Sequence, residues 1–87
     1  MKTIWKRPLV SDGIVEFPRG ATILSVQTQA GVPTVWALVD PAAPLEAIPV
    51  AIYGTGHDLP DDPGRFIGTF QLHGGALVLH AFQPNRT

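Results

Sequence analysis

The chain has 87 residues, enough for one small domain over residues 1–87, and a domain of this size buries only about 60–65% of the surface that its unfolded chain exposes. Six Lys and Arg against seven Asp and Glu give a net charge of −1, without the basic run that a nucleic-acid-binding protein needs. There is no cysteine, which excludes disulfides and thiolate zinc sites as stabilising elements. Self-association is the remaining way to stabilise a domain with so small a core.

No apolar run approaches the ~20 residues of a membrane helix, and residues 1–8 lack the apolar core of a secretory signal. We therefore expect no membrane role, and a cytoplasmic location by default. Nine prolines and nine glycines interrupt every window long enough for a helix. Short apolar runs between them predict an all-β domain of about seven short, mostly antiparallel strands in a small sandwich or barrel.

The predicted strands are residues 3–9, 14–17, 21–29, 34–40, 45–53, 65–73 and 76–82, with a frayed tail at 83–87. Ser11-Asp12-Gly13 is predicted as the first turn, and residues 30–33 as the turn of the middle hairpin. Pro49 cannot donate to a β-ladder, so the fifth strand should lie at an edge or carry a bulge.

Gly74-Gly75 predicts a two-residue primed turn, because both positions of such a turn need positive φ. This turn pairs Leu72 with Leu77 and Gly68 with Ala81, leaving a hollow at Gly68 that a large ring could fill. Alternation of side chains then gives a core face and a half-apolar second face. The predicted core face holds Phe66, Phe70, Leu72, Leu77, Leu79 and Ala81, and the second face holds Ile67, Thr69, Gln71, Val78, His80 and Phe82.

Parity in the middle hairpin likewise directs Leu24 and Val26 to the core and turns Ile23, Trp36 and Leu38 to a second face. Strand closure would cover such apolar second faces. The alternative that we favour is a homo-oligomer interface anchored by aromatic side chains. Its predicted residues are Trp36, Leu38, Ile67, Val78, His80 and Phe82.

The longest interruption, residues 54–64, gathers His57, Asp58, Asp61 and Asp62. These groups could hold a divalent ion in a small hydrolase with His57 as base. However, their spacing matches no metal-site motif, and Asp61-Asp62-Pro63-Gly64 is the composition of a tight turn. The turn is the interpretation that the sequence favours, and no metal or cofactor is assigned.

Gly54-Thr55-Gly56 could instead place backbone N–H groups around an anion or nucleotide, with His57 and Arg65 nearby. Gly54, Thr55, Gly56, His57 and Arg65 are therefore the candidate ligand-binding residues. His80, opposite Thr69, reads as a hydrogen-bonded structural histidine. Ser11 and Ser25 lack the setting of a nucleophile, so no catalytic residue is assigned.

Four segments carry a resemblance: Trp36–Pro41 (WALVDP), residues 54–57 (GTGH), residues 67–71 (IGTFQ) and residues 74–78 (GGALV). With them, nearly the whole chain resembles a family of small proteins of unknown function encoded by phages, prophages and their bacterial hosts. The resemblance implies an accessory protein of a mobile element, acting in the host cytoplasm by binding.

The sequence thus predicts a non-enzymatic, homo-oligomeric binding protein. Its partner would be a host protein, such as a defence component, or a small anionic ligand such as a nucleotide signal. The alternatives are the metal-dependent hydrolase described above and a structural virion or assembly protein.

Overall fold

The computed structural model describes residues 1–10 and 12–85, and these residues form eight β-strands and one 3₁₀ turn, His73–Gly75. The strands are β1 (Thr3–Pro8), β2 (Ile14–Pro18), β3 (Thr22–Gln29), β4 (Val32–Val39), β5 (Leu45–Pro49), β6 (Ala51–Gly54), β7 (Arg65–Leu72) and β8 (Leu77–Gln83). The predicted all-β class is confirmed. Ser11 of the first predicted turn and residues 86–87 of the predicted tail lie outside the described residues. Over the described ranges, no helix has the length and apolar character needed to cross a membrane.

The strands form three antiparallel sheets, with orders β1-β4-β3, β2-β5 and β6-β8-β7, which we call the first, second and third sheets. They pack into a flat, sandwich-like body of 39 × 33 × 18 Å rather than a closed barrel. The predicted fifth strand is two strands in two sheets. It breaks after Pro49, where the N–H of Val50 donates to the carbonyl of Gly13 at 2.6 Å instead of continuing the ladder.

The short and the long hairpin turn are exchanged relative to the prediction: the middle hairpin has the two-residue turn, and the last hairpin has the longer one. Gln29 pairs with Val32, so the two-residue primed turn lies at Ala30-Gly31, where both φ angles are positive (50° and 80°). Residues 73–76 instead form a longer 3₁₀ turn between β7 and β8. The predicted register survives this change: Leu72 still pairs with Leu77, and Gly68 with Ala81.

A β-bulge in β7 changes which side chains face the core. The register shifts between Phe66 and Gly68, so that Phe66 pairs with Phe82 and Ile67 turns inward. Ile67 is only 8% exposed, whereas Phe66 is 54% exposed. The predicted positions of Ile67 on the second face and of Phe66 on the core face are therefore wrong.

A second bulge, in β3, has the same effect on the middle hairpin. The register shifts between Ile23 and Ser25, which leaves Leu24 exposed and pairs Ile23 with Ala37 in the core. Parity is unaffected by a shift of two residues, but a bulge inserts one residue and reverses it. The predicted faces of Ile23 and Leu24 are wrong for this reason.

All three sheets contribute to the core, and the first and third sheets meet along β3 and β7, which lie side by side in the same direction. The hydroxyl of Thr28 donates to the carbonyl of Gln71 at 2.8 Å, and a Cβ on Gly68 would lie 3.2 Å from Cγ1 of Val26. Val26, rather than a ring, fills the predicted hollow. The buried apolar residues are Val15, Phe17, Ile23, Val26, Val35, Ala37, Val39, Ile48, Val50, Ile67, Phe70 and Ala81.

Candidate functional site on the outer face of the third sheet

The predicted ligand-binding residues Gly54 to His57 form one tight turn that begins at the last residue of β6. The N–H of His57 donates to the carbonyl of Gly54 at 3.1 Å, and Gly56 takes the positive φ of 84° that such a turn requires. The imidazole of His57 lies against Gly54, where a Cβ would come within 2.8 Å of the ring. Gly54 therefore allows the ring to fold back over the turn.

Arg65 lies away from this turn. Gly54 pairs with Leu79 of β8, whereas Arg65 pairs with Gln83, four positions further along the strand or about 13 Å. The guanidinium donates to the carbonyl of Ile23 at 2.8 Å, next to the bulge in β3. Arg65 thus links the two bulged strands, and the structure does not bring it together with the other four predicted ligand-binding residues.

The acidic part of the loop is held by its own hydrogen bonds. Asp62 accepts from the N–H of Gly64 at 3.1 Å through one carboxylate oxygen and from the side-chain amide of Asn85 at 2.8 Å through the other. Gly64 has φ 92° and lies directly against the backbone of Gln83 and Pro84. The loop after β6 therefore packs against the segment that follows β8 and is hydrogen-bonded to it at Asn85.

The side chains of the alternative metal-dependent hydrolase, His57, Asp58, Asp61 and Asp62, do not form a metal-binding group. Across residues 1–10 and 12–85, no three His, Asp or Glu side chains form a group that could hold a metal ion. Since both oxygens of Asp62 already have protein partners, the contacts match the tight-turn interpretation of this segment.

A cleft of about 320 Å³ opens beside the turn. Its walls are mostly apolar, and its polar side chains are the hydroxyl of Thr55 and the imidazole of His57. The lining residues are Gly54, Thr55, His57, Ala76, Leu77, Val78 and Leu79. Neither Lys nor Arg lines this cleft, so it lacks the cation that a phosphate group would favour.

His80 lies at the centre of a polar row across the third sheet. Its Nε2 is 2.6 Å from the hydroxyl of Thr55 on one side, and its Nδ1 is 2.9 Å from the hydroxyl of Thr69 on the other. The pairing of His80 with Thr69 across β7 and β8 follows the predicted register. The contact with Thr55 has no signal in the sequence, because it depends on β6 pairing with the other edge of β8.

Three aromatic rings cluster on the same side of the third sheet as the polar row of Thr55, His80 and Thr69. Phe82 makes edge-to-face contacts with Tyr53 (5.8 Å between ring centroids) and with Phe66 (5.4 Å). We call the surface that carries these rings the outer face of the third sheet. By register it comprises Ala51, Tyr53, Phe66, Thr69, Gln71, Val78, His80 and Phe82, with no Lys, Arg, Asp or Glu.

The predicted interface residues Trp36 and Leu38 belong to β4, in the first sheet, and not to this surface. The ammonium of Lys6 lies 5.4 Å from the centre of the Trp36 ring and covers it in part. The indole N–H is buried and has no hydrogen-bond partner among the described residues. Of the predicted interface residues, only Val78, His80 and Phe82 therefore lie on the outer face. Phe66 and Tyr53, which were not predicted there, also lie on it, because of the bulge in β7 and the pairing of β6 with β8.

Comparison with known proteins identifies one family. The model of DUF7352, described as a domain of unknown function, matches residues 1–87. No curated protein and no solved structure is significantly similar to the chain.

Proposed function

We propose that the chain, which belongs to the DUF7352 family, is a non-enzymatic binding protein that associates with copies of itself through the aromatic end of the outer face. The observation that carries this proposal is the cluster of Tyr53, Phe66 and Phe82, in which Phe66 is 54% exposed. Aromatic side chains on a surface without formal charges are typical of the centre of protein–protein interfaces.

The shape of the molecule supports the same proposal. Its accessible surface is 5420 Å². A compact monomer of this mass, 9.3 kDa, would expose about 5,000 Å². The flattened body therefore exposes slightly more surface than this average. A contact of standard size would cover roughly 800 Å² of each copy. The outer face has no Lys, Arg, Asp or Glu by register, so its burial would separate no ion pair.

The class of external partner follows from the turn at Gly54–His57. The cleft beside it presents a hydroxyl and an imidazole among apolar walls, with neither Lys nor Arg in its lining. These features favour a protein partner over a nucleotide. The resemblance to phage and prophage proteins adds the setting: a host protein, met in the cytoplasm of the cell that carries the mobile element.

Sedimentation velocity of three proteins tests the self-association. We expect the wild type to sediment as a dimer or larger assembly and Phe66→Glu to sediment as a monomer. Leu45→Glu is the matched control, because Leu45 is 56% exposed, close to the 54% of Phe66, but begins β5 in the second sheet. A monomeric wild type would overturn the proposal, and dissociation by Leu45→Glu but not by Phe66→Glu would move the contact to another face.

A panel of nucleotides tests the choice of partner. A ligand that binds only the native state raises the free energy of unfolding by RT ln(1 + [L]/Kd). We expect no nucleotide at about millimolar concentration to raise the melting temperature. A rise produced by one nucleotide and lost in Thr55→Val would replace the protein partner with a small anionic ligand.

A further inference from the structure

We propose that Thr55 is a reactive hydroxyl that accepts an acyl group from an ester or thioester, with His80 as its general base. The geometry carries the proposal: the Thr55 hydroxyl lies 2.6 Å from Nε2 of His80, and Nδ1 of the same ring lies 2.9 Å from the Thr69 hydroxyl. An activated nucleophile is recognised by a base within about 2.6–3.2 Å that is itself oriented by a third group. Thr55, His80 and Thr69 meet that description in order.

The proposal also specifies where the protons of this contact must lie. The Thr55 hydroxyl has a second acceptor in reach, the carbonyl of Val78, but at 3.5 Å, the outer limit for a hydrogen bond. The contacts also allow Nε2–H to donate to Thr55 while Thr55 donates to Val78, but the proposal requires the tautomer in which Thr55 donates its proton to Nε2. The neutral imidazole then carries its own proton on Nδ1 and donates it to Thr69. This tautomer leaves Nε2 unprotonated and facing the nucleophile, as a general base must be.

The site is open to a substrate. Thr55 is exposed and lines the cleft of about 320 Å³ next to Ala76 and Leu77. Gly56 follows it with open space around its α-carbon, so the acyl donor can approach over the turn. Because the cleft walls are mainly apolar, a short aliphatic acyl chain fits them better than a charged one.

The transfer balances without any further reactant. Oγ1 of Thr55 forms a bond to the acyl carbon while its proton passes to Nε2 of His80. The bond from the acyl carbon to the leaving oxygen or sulfur breaks, and the proton on Nε2 passes to that leaving group. The product is an ester of Thr55 and a free alcohol, phenol or thiol. Nothing is oxidised or reduced.

The experiment treats the full chain with p-nitrophenyl acetate or p-nitrophenyl butyrate. The release of p-nitrophenolate gives the rate, and peptide mass mapping locates the acyl group. We expect one equivalent of p-nitrophenolate and one acyl group on Thr55. Thr55→Ser should keep the reaction and Thr55→Val should abolish it. His80→Gln should slow it about 100-fold or more, the usual contribution of a general base.

Three controls separate reactivity from a structural role. Thr28→Val removes another exposed hydroxyl that is bonded to a carbonyl rather than to an imidazole, and it should react like the wild type. Thr69→Val should slow labelling, with Thr69→Ser restoring it, since Thr69 orients the base. Repeating the reaction on Phe66→Glu removes any effect of self-association, so failure of the proposed interface leaves this test intact.

The proposal is overturned by an acyl group that maps to lysines or to the amino terminus, or by equal labelling of Thr55→Val. An unchanged rate in His80→Gln would also overturn it. Melting temperatures of the variants show whether each is folded, and if Thr55→Val is not, the comparison of Thr55→Ser with His80→Gln decides the question.

Discussion

Substituting Gly64 tests whether the loop after β6 is fastened to the end of β8. Gly64 has φ 92°, and an added Cβ would overlap the carbonyl oxygen of Gln83 and lie 2.7 Å from Cα of Pro84. Both atoms belong to the backbone, so neither can rotate aside. Gly56 and Gly20 both have φ 84°, with nothing within 4 Å of an added Cβ, and so provide matched controls.

The expected magnitude has two parts. An L-residue held at positive φ costs about 1–2 kcal/mol, and this applies to Gly64→Ala, Gly56→Ala and Gly20→Ala alike. Displacing packed backbone adds about 1–3 kcal/mol at Gly64 alone. The total, about 2–5 kcal/mol, is a large part of the roughly 4–13 kcal/mol expected for a domain of this length. For a domain of this size, the difference between Gly64→Ala and its controls corresponds to roughly 5–20 °C in melting temperature.

Urea unfolding followed by circular dichroism, with a thermal melt on the same samples, measures these differences. The slope of the free energy against urea should stay constant across the three variants, because each leaves the fold and its buried surface unchanged. If Gly64→Ala lies within about 0.5 kcal/mol of Gly56→Ala, the loop does not rest on Gln83 and Pro84. The fastening of the candidate site would then have to come from elsewhere.

Three further predictions concern the register, the turn and the loop, each measured by the same urea unfolding. Ile67→Ala should lower the free energy of unfolding by about 2–5 kcal/mol and Phe66→Ala by about 1 kcal/mol. The reverse order would show that β7 does not carry the bulge between Phe66 and Gly68. Ala30→Asn should stabilise the protein by about 0.5–1 kcal/mol, because asparagine tolerates the first position of a primed turn better than alanine; a loss of stability would argue against the positive φ there. Asp62→Ala should cost about 1–2 kcal/mol through its two lost hydrogen bonds, while Asp58→Ala should change stability by less than about 0.5 kcal/mol, and equal effects would contradict the assigned contacts.

The candidate site was predictable only where it depends on neighbours in the chain. The turn at Gly54–His57 follows from two glycines, one of which needs positive φ. The pairing of Thr69 with His80 follows from the register of one hairpin. The contact between Thr55 and His80 does not, because it joins residues 25 positions apart through the pairing of β6 with β8. The expected position of Arg65 beside the Gly54–His57 turn is wrong, because the loop between them leads the chain to the other end of β8, where Arg65 pairs with Gln83.

Composition and local pattern by themselves determined the strand class, the approximate strand positions and the register of the last hairpin, since glycine, proline and β-branched residues act on their own stretch of backbone. The tertiary structure alone decided where the bulges fall, that Pro49 separates two sheets, and which of Phe66 and Ile67 faces water. Alternation is a rule of period two, and a single extra residue reverses it for every position beyond. Whether a strand accepts that residue depends on what packs against it. Here β3 and β7 lie close together at Val26 and Gly68, each carries a bulge nearby, and one isoleucine from each is buried in the core.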